Sequence, residues 1–307
     1  MKPYCKSYVE LTSACNLRCS FCPGTSRPAR MLTESEFRRI LSEITPYTDY
    51  VYFHLMGEPL LHPRLPLFLQ LAAEAGLKTC LTTNGTLLSQ QADSLLSANG
   101  LHKLSISLQA KEANSADLLP EDYPEACFRF GKAFEGKAIL VYRLWNAGGA
   151  ETENPGIIAL MKQYFPDPWI SRFDGYRIGN RVFLEYGKTF AWPDFAAADT
   201  APADGRYFCY ALRDQFGILS DGTVVPCCLD HDGELSLGNV FSDSLANILA
   251  SPRAEAIYRG FSDGRAAEPL CRRCGYAARF QTNHRYIPGV DFPLFTGRDC
   301  PPKEAAP

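Results

Sequence analysis

The 307-residue sequence has no strong excess of charge of either sign and no long hydrophobic run. Its 31 lysine and arginine residues nearly balance 34 aspartate and glutamate residues, so the overall field gives no reason to expect a nucleic acid or an anionic membrane as a partner. The segment MKPYCKSYVE lacks the apolar core of a secretory signal, and nothing later approaches the roughly 18 apolar residues of a membrane span. We therefore expect a soluble, cytoplasmic protein.

Internal repeats and low-complexity segments are absent as well, which excludes a repeat architecture. Cysteine, in contrast, is abundant, with 12 residues in the chain. Because the cytosol keeps thiols reduced, structural disulfides are rare there. The cysteines therefore indicate a metal-binding or catalytic use of sulfur.

Apolar runs typical of strands alternate with amphipathic helical patterns through the first half of the chain. A helix predicted at Glu34 to Ile44 precedes a strand at Tyr50 to Leu55, and this order repeats as far as the strand KAILVYRLW. Strands separated by helices imply right-handed crossovers and a parallel sheet. Such sheets carry their chemistry at the C-terminal strand ends, where a cysteine-rich loop, the MGEP and TTNG segments, Ser107 and Arg143 would converge.

Three cysteines, Cys15, Cys19 and Cys22, lie on one polar loop with the spacing C-x3-C-x2-C. A structural zinc site normally closes with four ligands, so this loop is one ligand short. An iron-sulfur cluster with one open iron needs only three cysteines. On spacing alone the alternatives stay open: a zinc knuckle completed by His62 or Cys80, or three buried thiols.

The segment CNLRCSFCP is followed by MGEPLLHP, TTNG and SISLQ, and this set resembles the radical S-adenosylmethionine (SAM) superfamily. In that family three cysteines hold a 4Fe-4S cluster whose fourth iron chelates the amino and carboxylate groups of SAM. The resemblance implies an α/β fold with a partial (β/α)6 parallel barrel. It also implies reductive cleavage of SAM to a 5'-deoxyadenosyl radical, with an electron from a partner such as flavodoxin or ferredoxin.

The resemblance also assigns cofactor-binding positions at the C-terminal strand ends. Gly57, Glu58 and Pro59 match the motif whose backbone and acidic residue receive the methionine ammonium. The alternative for Glu58 is a turn cap before Pro59, for Ser107 an ordinary strand serine, and for Arg143 a surface cation. The predicted cluster ligands are Cys15, Cys19 and Cys22, and the predicted SAM-contacting residues are Phe21 near the adenine, Gly57, Glu58, Pro59, Asn84, Ser107 and Arg143.

A second group of cysteines lies in the C-terminal part of the chain. Cys209 and Cys227 are separated by a hairpin-like segment, and Cys271 and Cys274 form a CxxC pair. From this spacing alone zinc would be the favoured metal. Neighbouring side chains on a strand point to opposite faces, so either Cys227 or Cys228 would face the metal, and we choose Cys227.

The order DGTVVPCC, LGNV, SLANILASPRAEAI and CRRC resembles the auxiliary-cluster extension of the SPASM/Twitch group of radical SAM enzymes. No close cysteines follow the CxxC pair, which favours the shorter Twitch-like form with one auxiliary 4Fe-4S cluster. The resemblance implies Cys209, Cys227, Cys271 and Cys274 as its ligands. We divide the chain into a radical SAM core at 1–200, an auxiliary domain at 201–281 and a tail at 282–307.

The aromatic-rich stretch RIGNRVFLEYGKTFAWPDF falls where a sixth strand is expected. Its Glu185, together with Arg143, is our prediction for catalytic residues lining a polar substrate pocket. The alternative is a packed face formed by Val182, Leu184 and Tyr186.

The substrate is predicted to be a small polar metabolite of the sugar, cyclitol or nucleoside type, undergoing dehydrogenation or radical elimination. The cluster motif begins at Cys15, so we expect no leader-binding domain of the kind that peptide-modifying relatives carry. A peptide-modifying enzyme is the second hypothesis. A non-catalytic zinc protein with two sites is the third.

Overall fold

The computed structural model describes residues 2–148, 154–199 and 207–280. The predicted tail at 282–307 and the predicted boundary at 200 lie outside these residues. The α-helices are α1 (Glu34–Ile44), α2 (Leu65–Glu74), α3 (Leu88–Ser97), α4 (Glu125–Phe134), α5 (Pro155–Tyr164), α6 (Leu245–Leu249) and α7 (Pro252–Ser262). The strands are β1 (Lys6–Val9), β2 (Tyr50–Phe53), β3 (Lys78–Thr83), β4 (Leu101–Ser107), β5 (Ile139–Ala147), β6 (Ile170–Arg172), β7 (Gly175–Gly179), β8 (Val182–Lys188), β9 (Gln215–Ile218), β10 (Thr223–Val225) and β11 (Gly238–Asn239).

These strands form one sheet in the order β11-β10-β9-β1-β2-β3-β4-β5-β8-β7-β6. Strands β1 to β5 and β8 are parallel neighbours, and each step from one to the next passes through a helix. The predicted parallel α/β core is confirmed, and β8 is its sixth strand. The hairpin of β6 and β7 extends one side of the sheet antiparallel to β8.

The helices cover one face of the sheet because their apolar positions recur at helical spacing. Helix α1 begins at a capping box in which Thr33 and Glu36 satisfy each other's backbone N–H groups. Its buried stripe includes Phe37, whose ring stacks on Phe68 of α2 with centroids 4.1 Å apart. This packing fixes α1 and α2 against the face of the sheet that the helices cover.

Side chains alternate along each strand between the two faces of the sheet. We call the face covered by α1 to α5 the outer face, and the face turned away from these helices the inner face. Buried apolar residues occupy the outer face, for example Phe53 and Leu104. The inner face carries Tyr8, Tyr52 and His54, whose rings contact one another at centroid distances of 5.1 to 5.8 Å. An inner face with polar and aromatic side chains is suited to a ligand rather than to a purely apolar core.

The C-terminal part of the chain joins the same sheet. Strand β9 pairs in parallel with β1, and β10 and β11 continue antiparallel beyond it. Just after β1, the buried carboxylate of Glu10 accepts hydrogen bonds from the Ser220 backbone N–H (3.1 Å) and hydroxyl (2.7 Å), and it pairs with Arg27 at 2.6 Å. The two predicted domains are therefore connected by a continuous sheet and by the hydrogen bonds between Ser220 and the buried Glu10.

Among the described residues, no helix has the length and apolar character that a membrane crossing requires.

Candidate functional site

The three N-terminal cysteines lie on the loop between β1 and α1, at the C-terminal edge of the parallel sheet. A tight turn brings the Cys22 N–H to the Cys19 carbonyl at 2.9 Å. Desolvation raises the pKa of the Cys15 thiol to about 11, and the nearby Glu58, Cys19 and Cys22 add to the rise. Burial also raises the pKa of the Cys19 and Cys22 thiols. Binding of a cation would favour the thiolate form of all three.

N–H groups point at two of these sulfurs. The Leu17 N–H lies 3.5 Å from Cys15 Sγ, and the Asn114 side-chain amide donates to Cys19 Sγ at 3.1 Å. The Asn84 amide lies 4.0 Å from Cys15 Sγ. Donors to sulfur stabilise the thiolate form and tune iron-sulfur clusters, so this loop fits such a cluster. The sequence analysis missed Asn114, because no motif marks it.

Gly57 holds the cysteine loop in place through a close backbone contact. Its φ is +74°, and a Cβ there would lie 2.1 Å from the Thr12 carbonyl oxygen and 2.8 Å from that of Ala14. The next N–H, of Glu58, donates to the Ala14 carbonyl at 2.8 Å. Only glycine permits this approach, so the backbone of the GEP turn packs directly against the cysteine loop and fixes its position.

The Glu58 carboxylate is buried and accepts three hydrogen bonds. Oε1 accepts from the Leu60 N–H (3.0 Å) and the Thr83 hydroxyl (2.7 Å), and Oε2 accepts from the Asn84 N–H at 2.7 Å. Burial raises the pKa of Glu58 to about 7 against these donors. The turn-cap alternative is therefore present in the structure, since Glu58 caps the short helix Pro59–Leu61. A carboxylate has about four acceptor positions, so Oε2 retains one for a ligand.

Ser107, Arg143 and Glu185 occupy directly paired positions on β4, β5 and β8. The Arg143 guanidinium lies 4.8 Å from the Trp145 ring centroid and its Nε lies 4.0 Å from Glu185 Oε1. The Trp145 indole donates to the same Oε1 at 2.9 Å. Arg143 is only 13% exposed and Glu185 only 1%, so the surface-cation alternative for Arg143 is wrong.

Two polar atoms of this group have no hydrogen-bond partner in the described structure, Arg143 Nε and Glu185 Oε2. Both are buried, and a buried polar atom left unpaired costs free energy. The pair is thus arranged so that a bound molecule can complete its hydrogen bonding.

The C-terminal cysteines line one shared cavity. Burial raises the pKa of Cys227 well above its usual value, and the neighbouring Cys228, Cys209, Cys271 and Cys274 add to the rise. Thiols gathered in an otherwise apolar cavity are the soft ligands that iron-sulfur clusters require. The residues lining the cavity include Cys209, Cys227, Cys228, Cys271 and Cys274, together with Tyr207, Leu229 and Phe261.

The expectation that Cys227 and Cys228 lie on a strand is wrong. Strand β10 ends at Val225, and both cysteines follow it in a turn. Both therefore line the cavity, although Cys228 also hydrogen-bonds with Tyr8 on the inner face. Cys227 has the other four thiols around it, which favours it as the ligand, and this choice stays a prediction.

No three His, Cys, Asp or Glu side chains lie close enough together to hold a single metal ion, within residues 2–148, 154–199 and 207–280. The ligand sets at both cysteine sites therefore remain predictions.

Contacts from distant segments clamp the cysteine loop from outside. The Trp192 indole donates to the Phe21 carbonyl at 3.0 Å, while the Phe21 side chain is 41% exposed. Asp232, after β10, accepts from the Ser26 N–H at 3.0 Å and from the Thr25 hydroxyl. Sequence reasoning missed this clamp, because its partners are more than 170 residues apart.

Within the aromatic stretch, Val182 and Leu184 of β8 do form a buried face. Tyr186, the third residue of that predicted face, is half-buried. Glu185 lies on the opposite, inner face of the strand, and its role in a substrate pocket stays a prediction.

Comparison with known proteins identifies two matching family models. Residues 9–122 match the Radical SAM superfamily, and residues 209–275 match SPASM, an iron-sulfur cluster-binding domain.

Curated relatives match over about a third of this chain. An AdoMet-dependent heme synthase of Methanosarcina barkeri is 35% identical over 111 residues, which cover 35% of this chain and 32% of that protein. A GTP 3',8-cyclase of Chlorobaculum tepidum is 38% identical over 33% of this chain and 31% of that protein. A PqqA peptide cyclase of Rhodopseudomonas palustris is 34% identical over 36% and 30%. The match thus spans about a third of the length of these relatives.

Two solved structures share the fold over most of the chain. BtrN in complex with AdoMet and 2-DOIA has a TM-score of 0.58 at 17% identity, covering 89% of this chain and 94% of that one. Streptococcus suis SuiB bound to the precursor peptide SuiA has a TM-score of 0.59 at 17% identity, covering 89% and 70%. Both show the same α/β fold with a parallel sheet.

Proposed function

Because this chain belongs to the radical SAM superfamily and carries a SPASM iron-sulfur cluster-binding domain, we propose that it forms a 5'-deoxyadenosyl radical which abstracts hydrogen from a small polar metabolite. When bound, the SAM cluster supplies the electron that cleaves SAM. One observation gives the proposal its main support: the cysteine loop is in backbone contact with the GEP turn, beside the polar inner face of the sheet.

The chain's own residues prepare the SAM cluster site. Cys15, Cys19 and Cys22 would hold the cluster, and the N–H groups on Cys15 and Cys19 favour their thiolate forms. Gly57 and Glu58 fix the loop by backbone contact. Positioning of this kind is the main contribution a protein makes to cofactor chemistry. Phe21, Pro59, Asn84 and Ser107 are proposed to complete the SAM site.

Arg143 and Glu185 would orient the substrate. Arg143 Nε can donate to a substrate oxygen, and Glu185 Oε2 can accept from a hydroxyl or ammonium group. Because both are buried, these contacts form in a low dielectric environment and hold the substrate firmly.

Cys209, Cys227, Cys271 and Cys274 are proposed to hold the auxiliary cluster, in a domain at 201–281 that follows a core at 1–200. The turn in which Cys228 touches Tyr8 connects the auxiliary cavity with the inner face. This proximity supports a net oxidation, because an auxiliary cluster in the cavity would lie near the substrate. A radical elimination is the other outcome that we propose, and either reaction would need a reductant of the flavodoxin or ferredoxin type to cleave SAM. The enzyme would then be an oxidoreductase or a lyase.

A small-molecule substrate is favoured over a peptide by the inner face of the sheet. The polar groups of this face are buried side chains within the sheet rather than a surface groove. The second candidate, a peptide substrate, is supported by the similarity to a PqqA peptide cyclase over 36% of this chain.

The test is 5'-deoxyadenosine formation by the anaerobically reconstituted, reduced protein. Small-metabolite and peptide fractions of a cell extract are added separately. We expect stimulation by the metabolite fraction, and stimulation by the peptide fraction alone would replace the favoured substrate class.

A metal count on the same sample addresses the third hypothesis. About eight irons per chain agree with two 4Fe-4S clusters. Zinc without labile sulfide would instead support the non-catalytic zinc protein.

A further inference from the structure

The peptide group that joins Phe21 to Cys22 is held at both of its polar ends. Its N–H donates to the Cys19 carbonyl at 2.9 Å, which is a contact within the cysteine loop. Its carbonyl accepts from the Trp192 indole at 3.0 Å, and this donor lies 171 residues away in the chain. The peptide group cannot turn without losing one of these two bonds. Trp192 therefore helps to set the direction in which the Cys22 side chain leaves the loop.

The segment that supplies this indole also contacts the cavity of the C-terminal cysteines. Pro193 lines that cavity. The peptide group that joins Cys274 to Gly275 donates its N–H to the Ala191 carbonyl at 3.1 Å, and a Cβ on Gly275 would lie only 2.7 Å from that oxygen. We call residues 191–193 the linking segment. Because backbone packed this closely transmits displacements, the position of the linking segment depends on that of Cys274.

Aromatic neighbours fix the ring of Trp192. Its centroid lies 5.7 Å from that of Phe190 and 5.8 Å from that of His231. Phe190 in turn contacts Tyr276 edge to face, with centroids 5.0 Å apart, and Tyr276 lines the cavity of the C-terminal cysteines. Residues on the side of this cavity therefore hold the indole N–H in its direction toward the Phe21 carbonyl.

The cysteine loop has a second attachment to the C-terminal part of the chain. Asp232 Oδ1 accepts from the Ser26 N–H at 3.0 Å and from the Thr25 hydroxyl, and Oδ2 accepts from the Ser26 hydroxyl at 2.9 Å. The Arg27 guanidinium donates to the His231 carbonyl at 3.1 Å. The loop is thus attached at two places, before and after the turn that follows its last cysteine, to the part of the chain that carries the second cysteine site.

We infer that Trp192 and Asp232 are positioning residues for the SAM cluster, and that the linking segment couples the auxiliary site to the cysteine loop. Groups outside the ligand shell orient the ligands of a cluster and tune its affinity for further ligands. A cysteine loop held from the auxiliary side therefore binds SAM best when that side is intact. This inference rests on the proposed function, because it concerns the SAM site proposed there.

The first test removes each attachment in the full, anaerobically reconstituted protein. Trp192→Phe keeps an aromatic ring and loses the indole N–H, and Asp232→Ala loses both oxygens that hold Thr25 and Ser26. In a calorimetric titration, SAM should bind each variant about 3-fold to 10-fold more weakly, the size expected for a hydrogen bond. The electron paramagnetic resonance spectrum of the reduced protein should respond to SAM only at correspondingly higher SAM concentrations. Iron should stay at about eight per chain, because no ligand is removed.

Trp169→Phe is the matched control for Trp192→Phe. The Trp169 indole likewise donates to a backbone carbonyl, that of Phe165, at 2.7 Å, just before β6 at one end of the sheet. The two variants should lose similar thermal stability, whereas only Trp192→Phe should lose affinity for SAM. Asp93→Ala, at an exposed position of α3, is the control for Asp232→Ala. Wild-type SAM affinity in Trp192→Phe or Asp232→Ala, or an equal loss in the controls, would overturn the inference.

The second test asks whether the auxiliary site acts through the linking segment, and it also decides the inference if Trp192→Phe does not fold. Cys271→Ala combined with Cys274→Ala removes two predicted auxiliary ligands, and SAM affinity should fall by about the same 3-fold to 10-fold. Adding Trp192→Phe should cause little further loss, because residues of one network are not additive. Wild-type SAM affinity without the two cysteines, or full additivity with Trp192→Phe, would contradict the coupling.

Measuring 5'-deoxyadenosine in the wild-type sample separates the two proposals. If none forms while SAM binding still depends on Trp192 and Asp232, the proposed function fails and the positioning role stands. If 5'-deoxyadenosine forms with a metabolite but both variants bind SAM like the wild type, only the positioning inference fails.

Discussion

At the residue scale, Glu58 shows how a motif position combines two roles. Its sequence context predicted either a ligand for SAM or a turn cap, and the structure shows a carboxylate that joins the GEP turn to Thr83 and Asn84. The identity of the residue was predictable from the motif. Its three donors were not, because Thr83 and Asn84 reach it only through the pairing of β2 with β3.

Glu58→Gln should lower the stability of the protein by about 1–3 kcal/mol. Each carboxylate oxygen accepts from a backbone N–H, of Leu60 or Asn84, so the amide NH2 of glutamine must face one of them. Thermal unfolding and SAM titration check this, and we expect weaker SAM binding as well. Glu74→Gln, at an exposed position, should change stability by less than about 0.5 kcal/mol. Equal stability of both variants would contradict the prediction.

Cys228→Ala should retain the auxiliary cluster, whereas Cys227→Ala should lose it. The reason is that Cys227 is surrounded by the other four thiols while Cys228 also contacts Tyr8. Iron and labile sulfide per chain measure the outcome. The reverse result would exchange the two ligand assignments.

The stability effect of Lys103→Met should depend on pH. Burial lowers the pKa of Lys103 to about 8 in the folded protein, from 10.5 for an exposed lysine. Between pH 8 and pH 10.5 the unfolded chain therefore binds more protons at this residue than the folded chain. The stability of the protein is highest, as far as Lys103 is concerned, above about pH 10.5, and it falls as the pH falls from 10.5 to 8. Arg143 opposes the lysine charge, and Glu185, Cys80 and Asp174 favour it.

Relative to the wild type, Lys103→Met should gain on the order of 3 kcal/mol in stability between pH 10.5 and pH 7. Denaturation of both proteins at these two pH values measures the difference, in which other titrating groups cancel. Lys78→Met provides the exposed comparison. If the difference in stability between Lys103→Met and the wild type does not change with pH, the pKa of Lys103 is not lowered in the folded protein.

At the scale of elements, the local pattern predicted the alternating strands and helices of the core. Helix α1 is found where it was predicted, and in the C-terminal part α6 ends at Leu249 before α7 begins at Pro252. The strand assigned to Cys227 and Cys228 was wrong because Pro226 has no N–H to continue the ladder and β10 ends before it. The pairing of β9 with β1 was not predictable, since no local feature of either segment indicates which strand it pairs with.

Gly57→Ala should displace the cysteine loop and abolish SAM cleavage while leaving the auxiliary cluster. The added Cβ would meet the backbone of Thr12 at 2.1 Å, and backbone cannot yield as a flexible side chain does. Gly76→Ala is the matched control, with φ +76° but nothing within 4 Å of the added Cβ. Both variants carry the strain of a positive φ, so a selective loss in Gly57→Ala isolates the contact. Normal 5'-deoxyadenosine formation by Gly57→Ala would contradict this account.

At the scale of the whole molecule, two cysteine sites are carried by one sheet. Replacing Cys15, Cys19 and Cys22 together with alanine should abolish 5'-deoxyadenosine formation and leave about half the iron, because the other site is built from different residues. Iron analysis and product detection on the same preparation measure both effects. Continued SAM cleavage by this variant would refute the cluster assignment.

The order of synthesis on the ribosome gives the continuous sheet a further consequence. Strand β1 emerges first, but its partner β9 begins only at Gln215. At about 5–20 residues per second, β1 waits on the order of 10 to 40 s for that partner. During this time it is an open sheet edge, which can pair with other chains. A chain truncated before β9 should therefore aggregate although it contains every cysteine of the first site.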